Sequence, residues 1–327
     1  MNGSVVISPP TVKFIVMLAV IVVSSVAGYV ARRRGWVSES AGRPILLATL
    51  ILGYPIVGTL PVWVLPLRAD DVWIPSQCVL LTLSCFVVGL LVGRLHRLGR
   101  ADLGVYSYAA GHSNIGFTMG GFICFCLGGE QALAYTLIYV LAWNVMMFGG
   151  FFPLANAFAE HPVRRTPGRI LREVLDVRSL PLVGTVLGLV LNVWGVRRPE
   201  IIEQLRVVDV AVLLTTAAMF FIIGLTLHPG RLTEAVRLHA SLAAIKFVVS
   251  PLLGLAWIGL GQRLGLRISG LQRDVLIIQS MMPMAMFVTV VANLYGLNPR
   301  LATGLFVVNT VGFLIVVLPI LVFVYGG

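Results

Sequence analysis

The sequence predicts an all-α integral membrane protein. Ten transmembrane helices form two inverted five-helix repeats, and the fourth and ninth spans are broken helices that cross. Three observations lead there. The 327-residue chain is 58% hydrophobic and only 11% charged, with a mean hydropathy of +0.96, which excludes a soluble domain with a large core. Apolar runs long enough to cross a bilayer recur along the whole chain. Two of those runs, about 168 residues apart, are interrupted in the middle.

Taken in order, the first span is read near 12–31 and is closed by Arg32, Arg33 and Arg34. The second, 45–66, carries Pro55, Gly58 and Pro61 and should bend. The third covers 74–93. The fourth, 103–127, contains Gly111-His112-Ser113-Asn114-Ile115-Gly116-Phe117-Thr118-Met119-Gly120-Gly121. An unbroken helix would not choose that stretch, because each interior glycine costs about 1 kcal/mol relative to alanine. The fifth span is read at 131–158. The sixth to eighth follow at 179–196, 207–228 and 239–261. The ninth, 273–296, is interrupted at Pro283, which removes a helical hydrogen bond and clashes with the preceding turn. The tenth covers 301–325.

The basic stretch 160–178 divides the chain into a first repeat, 1–159, and a second, 179–327. An odd number of spans in each set makes the second insert upside down relative to the first. Broken spans at matching places in such repeats point to a transporter's binding site near the bilayer midplane. The flanks match weakly: 128–134 falls opposite 296–302, with Gly, Leu and Ala in common.

Orientation follows from the basic residues. In the first half one side holds Arg32, Arg33, Arg34, Arg43, Arg94, Arg97, Arg100 and the arginines of 164–178, the other only Lys13 and Arg68. That bias puts the 160–178 loop in the cytoplasm and both termini outside, in the cell (inner) membrane. The net charge of +11 is thus a topology signal, and no nucleic-acid partner is expected. Cys78, Cys85, Cys124 and Cys126 lie in apolar runs without zinc-ligand spacing, so neither metal nor cofactor is expected. Positive charge follows the first apolar run, which does not suit a signal peptide. GxSxG and HExxH are both absent, and the chain is expected not to be an enzyme.

The candidate substrate-binding residues are Asn114, Gly116, Gly120, Gly121, Asn144, Pro283 and Met284. Asn114 leads, since a buried amide offers both donors and acceptors beside unwound backbone; its structural alternative is to satisfy that backbone. The glycines allow close backbone approach, with helix packing as the alternative. Half-helices are expected to start near Gly121 and Met284, with positive ends that favour an anion. Lys246, His112 and Gln279 are candidates for counter-charge or coupling. Snorkelling to the cytoplasmic surface is the expectation for Lys246, a substrate counter-charge the alternative. His112 is read as a hydrogen-bonded structural histidine, with proton transfer as the alternative. Asn309, Thr215 and Thr216 read as helix–helix glue. Glu130, Asp209 and Asp274 read as wet residues at span ends. No Asp or Glu sits mid-span in either broken run, so a carboxylate-based ion antiporter has no support.

Several motifs in order carry a family resemblance: Asn114-Ile115-Gly116-Phe117, the 128–135 run, Gly224-Leu225, Lys246 with Pro251, Met282-Pro283, and Ala292-Asn293-Leu294-Tyr295-Gly296. Over nearly its whole length the chain resembles the auxin efflux carrier family, distant relatives of bile-acid/sodium symporters. Gly121 stands where that family has a proline, and restoring it should be tolerated. The resemblance implies ten spans, crossed broken helices and export of a small organic anion, an auxin-like monocarboxylate or a short dicarboxylate. The expected mechanism is an elevator-type secondary carrier acting as a voltage-driven uniport. A sodium-coupled symporter of the bile-acid type is the alternative. The expected partners are the organic anion and the lipid bilayer, and a homodimer stays open.

Overall fold

The computed structural model describes residues 9–159, 180–226 and 236–326, and within them the chain is helical. The 160–178 linker lies outside the described residues. Among the described residues, seven helices are long and apolar enough to cross a membrane: Ile15–Arg33, Glu39–Trp63, Ala69–Leu95, Met119–Trp143, Val207–Thr226, Val236–Arg263 and Pro299–Tyr325. Leu180–Val193 is a shorter apolar helix. Large apolar side chains such as Val23, Leu52, Leu214, Ile315 and Phe323 stay exposed along these helices. In water they would be a liability; in a bilayer they face lipid, and the helices satisfy their own backbone.

We label α1 Pro9–Arg33, α2 Glu39–Trp63, α3 Trp73–Leu95, α4 Arg100–Gly111, α5 Met119–Tyr139, and α6 the run 141–158. Beyond the linker come α7 Leu180–Val193, α8 Val207–Thr226, α9 Val236–Arg263, α10 Gly270–Ser280, α11 Phe287–Leu294 and α12 Pro299–Tyr325.

Both expected interruptions exist. Helix stops at Gly111 and restarts at Met119; it stops again at Ser280 and restarts at Phe287. The second restart lies three residues beyond the expected Met284, because Pro283 and its neighbours stay extended to pair across the break. The expected junction between the fourth and fifth spans is there as well: two helices meet within α5 at Gly129, which takes the non-helical φ +70° and ψ −162°. A second interruption follows near Val140, just before α6.

Two helix pairs pack closely. Helix α1 lies on α8, where a Cβ at Gly224 would overlap Ser25 O. Helix α2 lies on α7, where a Cβ at Gly188 would sit 2.5 Å from Thr59 O. Thr59 Oγ1 donates to Gly184 O at 2.9 Å, and Asn192 Nδ2 donates to the carbonyls of Val62, Trp63 and Leu65, which closes the end of α2. The remaining helices gather around the two breaks. Gln77 Nε2 of α3 donates to Gly254 O of α9 at 3.2 Å. Asn298 caps α12 by accepting from Leu301 N and also donates to Asp102 Oδ1 of α4 at 2.8 Å.

Glu130, expected to be wet, is instead paired with Arg198, which also donates to Leu60 O and to Glu203. Burial alone would lower the Arg198 pKa, but the hydrogen bonds and charges of Glu130 and Glu203 hold it above the usual arginine value. This cluster ties the α7–α8 loop and α2 to the kink of α5.

Candidate functional site

The two breaks meet. Ser113 and Met284 form an antiparallel bridge, with Asn114 N donating to Pro283 O at 2.7 Å and Ala285 N donating to His112 O at 3.0 Å. Four chain ends therefore converge on one short patch of extended backbone. Unwound backbone at that depth needs partners inside the protein, and here each segment supplies them to the other.

Asn114 is 6% exposed and sits in the middle of the first break. Its backbone oxygen accepts from Gly120 N at 3.0 Å, and its Oδ1 accepts from the Thr118 hydroxyl. That second bond orients the amide and, among the described residues, leaves Nδ2 without a partner. At the start of α5, Phe122 N donates to Thr118 O. The first amides of a helix have no intrahelical acceptor, so this end presents N–H groups towards the break.

The three candidate glycines have separate steric reasons. Gly116 takes φ +72°, a left-handed conformation that suits glycine. At Gly120 a Cβ would lie 2.5 Å from Gln279 Oε1. At Gly121 it would overlap Gly116 O. The last point corrects an expectation: a proline at 121 brings a Cβ, which the tight turn of the first break does not admit. Pro283 acts through its carbonyl, which holds Asn114 N, and Met284 is the bridge residue of the second break.

Lys246 departs most from expectation. It does not snorkel. It is 0% exposed, and its Nζ donates to Ser113 Oγ at 2.9 Å. It sits on a widened turn of α9, Ile245–Val249, which sets the side chain towards the bridge. Among the described residues no carboxylate lies within ion-pair distance of it.

Gln279 is fully buried, with Nε2 at 3.2 Å from Cys124 Sγ and 3.3 Å from Thr136 Oγ1. His112 takes the structural role: Nδ1 faces Tyr108 O at 3.2 Å, Nε2 faces Met147 Sδ at 3.1 Å, and the ring packs on Tyr108 and Phe151. Asn144 lies in the helix Leu141–Met146, but its side chain is outside the described residues.

The arrangement thus joins Asn114, Gly116, Gly120, Gly121, Pro283, Met284 and Gln279, and adds Lys246 through Ser113. Sequence reasoning passed over Ser113 and Thr118 and read Asn309 as helix glue. Asn309 Oδ1 in fact accepts from Met284 N at 2.7 Å. The available signal for Ser113 was Lys246 itself, since a charge well inside a span needs a polar partner.

Comparison with known proteins agrees in kind. Residues 13–322 match the family model described as membrane transport protein. The chain is also similar to a protein named uncharacterized transporter MJ1031, from Methanocaldococcus jannaschii. The two are 26% identical over 250 residues, which cover 73% of this chain and 76% of the relative.

Proposed function

The chain belongs to the membrane transport protein family, which includes the auxin efflux carriers, and from that premise we propose that it is a secondary carrier exporting a small organic anion. One observation carries the choice of an anion: Lys246 brings a buried amine to the crossing, through Ser113, with no carboxylate partner among the described residues. As an ammonium it biases the crossing against cations. The oriented Asn114 amide adds a hydrogen-bond donor at the same place, and the start of α5, whose positive end favours an anion, adjoins it. The absence of acidic residues mid-span in either broken run fits a uniport driven by voltage.

Packing supports a ten-span inverted repeat. In span order, α1 with α8 is the pair one and seven, and α2 with α7 is the pair two and six. A shift of five spans turns each pair into the other. It also exchanges the two breaks. The same division suggests the elevator: α1, α2, α7 and α8 as the static body, the helices around the breaks as the moving one. Both termini outside a cell (inner) membrane remain our reading of the arginine pattern.

The test is a melting-temperature screen of purified protein against small carboxylates, their amides and inorganic anions. A ligand that binds only the folded state raises the melting temperature by mass action. Stabilisation by carboxylates and not by their neutral amides supports the reading. Stabilisation that requires sodium argues for the bile-acid type of coupling.

A further inference from the structure

We infer that Asn309, on the last helix, is a substrate-positioning residue whose side-chain amide donates to the carboxylate of the transported anion; this rests on the organic-anion reading above. Asn309 Oδ1 accepts from Met284 N at 2.7 Å, and Met284 is the residue that bridges to Ser113. Only an oxygen can accept there, so the amide cannot be turned round. Its Nδ2 group must therefore be the free end. Nδ2 is buried, in a residue 3% exposed, and among the described residues it has no hydrogen-bond partner. Most buried polar groups find partners, and one left without an acceptor asks for an explanation. A purely structural asparagine would be served by its other end as well.

The place of this donor gives the explanation. The two bridge residues are each held by a side chain from a different helix: Ser113 by Lys246 of α9, and Met284 by Asn309 of α12. Nδ2 shares one planar amide with the oxygen on Met284 N, so it stands beside the crossing. Across the bridge, Asn114 Nδ2 is the matching donor, itself left over when Thr118 takes Oδ1. Two amide donors and an ammonium thus belong to residues that touch or adjoin the Ser113–Met284 bridge, a set that suits a carboxylate with two acceptor oxygens and one negative charge. Gln279 does not offer the same argument: Thr136, whose hydroxyl donates to Ala132 O, accepts from its Nε2, and the atom left over is Oε1, an acceptor that does not suit a carboxylate.

The variant that separates the two roles is Asn309→Asp. It keeps an oxygen acceptor for Met284 N and replaces the donor by an acceptor. With malonate and indole-3-acetate as probes, binding is measured by thermal shift and by calorimetry on purified protein. The expectation is at least a tenfold loss of affinity for whichever acid stabilises the wild type, with the ligand-free melting temperature nearly unchanged. Asn309→Ser keeps an oxygen without the amide or a new charge, and it serves if the aspartate variant does not fold. Equal affinity in a folded variant overturns the assignment of Asn309 and leaves the anion reading standing. A wild type that neither acid stabilises contradicts the carboxylate reading itself, and the role of Asn309 falls with it.

Discussion

Lys246→Met separates a charge that binds substrate from one that holds the fold. Methionine keeps an unbranched apolar stem of similar length and removes the ammonium. In the wild type Nζ lies 2.9 Å from Ser113 Oγ. A carboxylate one further hydrogen bond away would sit roughly 6 Å from the charge, and at an effective dielectric constant of about 20 their attraction is about 2.8 kcal/mol. By tenfold per 1.4 kcal/mol, its loss weakens binding about a hundredfold. Stability should move differently. Lys246 is wholly buried with no carboxylate partner among the described residues, so its charge is desolvated without full compensation. Replacing such groups by apolar ones is often neutral or stabilising. The ligand-free melting temperature should therefore hold or rise while affinity for organic acids collapses, both read on the same purified sample. A variant that keeps wild-type affinity would refute the counter-charge. One that unfolds while its binding per folded molecule is unchanged would make Lys246 a structural residue.

Asn114→Ala should fold, because Thr118 keeps a second acceptor in Ile115 O at 3.2 Å and the backbone pairing of residue 114 does not need the side chain. Its affinity for the substrate anion, measured by calorimetry, should fall by about 1–3 kcal/mol. Gly121→Pro should be poorly tolerated, although the family resemblance led to the opposite expectation, since its Cβ would overlap Gly116 O. Overpacking of this kind costs about 1–3 kcal/mol, and a melting temperature equal to the wild type would show that the turn 116–121 relaxes freely.

Much of the architecture was legible because membrane spans are written in composition. Long apolar runs give the helices, and glycine at 116 or proline at 283 marks where a helix cannot continue. Asn114 could be named for the same reason: it is a polar residue in the one place where unwound backbone leaves room for it. The direction of Lys246 was not legible. Depth alone suggested snorkelling, but a widened turn at 245–249 re-aims the side chain, and no residue type announces that turn. Asn309 was hidden because its partner is the backbone of Met284 in the second break, on another span. The barrier to proline at 121 was equally hidden. It depends on Gly116 O, whose position follows from a left-handed residue five places earlier. Gly128 and Gly129 read as a chain break, and two helices do meet at Gly129; what was hidden is that Arg198 reaches Glu130 there from the α7–α8 loop.

The most direct test of the central claim is flux in proteoliposomes, using the carboxylate that best stabilises the protein and comparing sodium with choline at fixed pH. At roughly 100 mV, inside negative, a monovalent anion gains about 2.3 kcal/mol on leaving, enough for an outward gradient of roughly fifty-fold. An anion uniporter gives flux that follows the imposed voltage and is the same in sodium and in choline. Flux that ignores voltage, or that appears only with a sodium gradient, would contradict it.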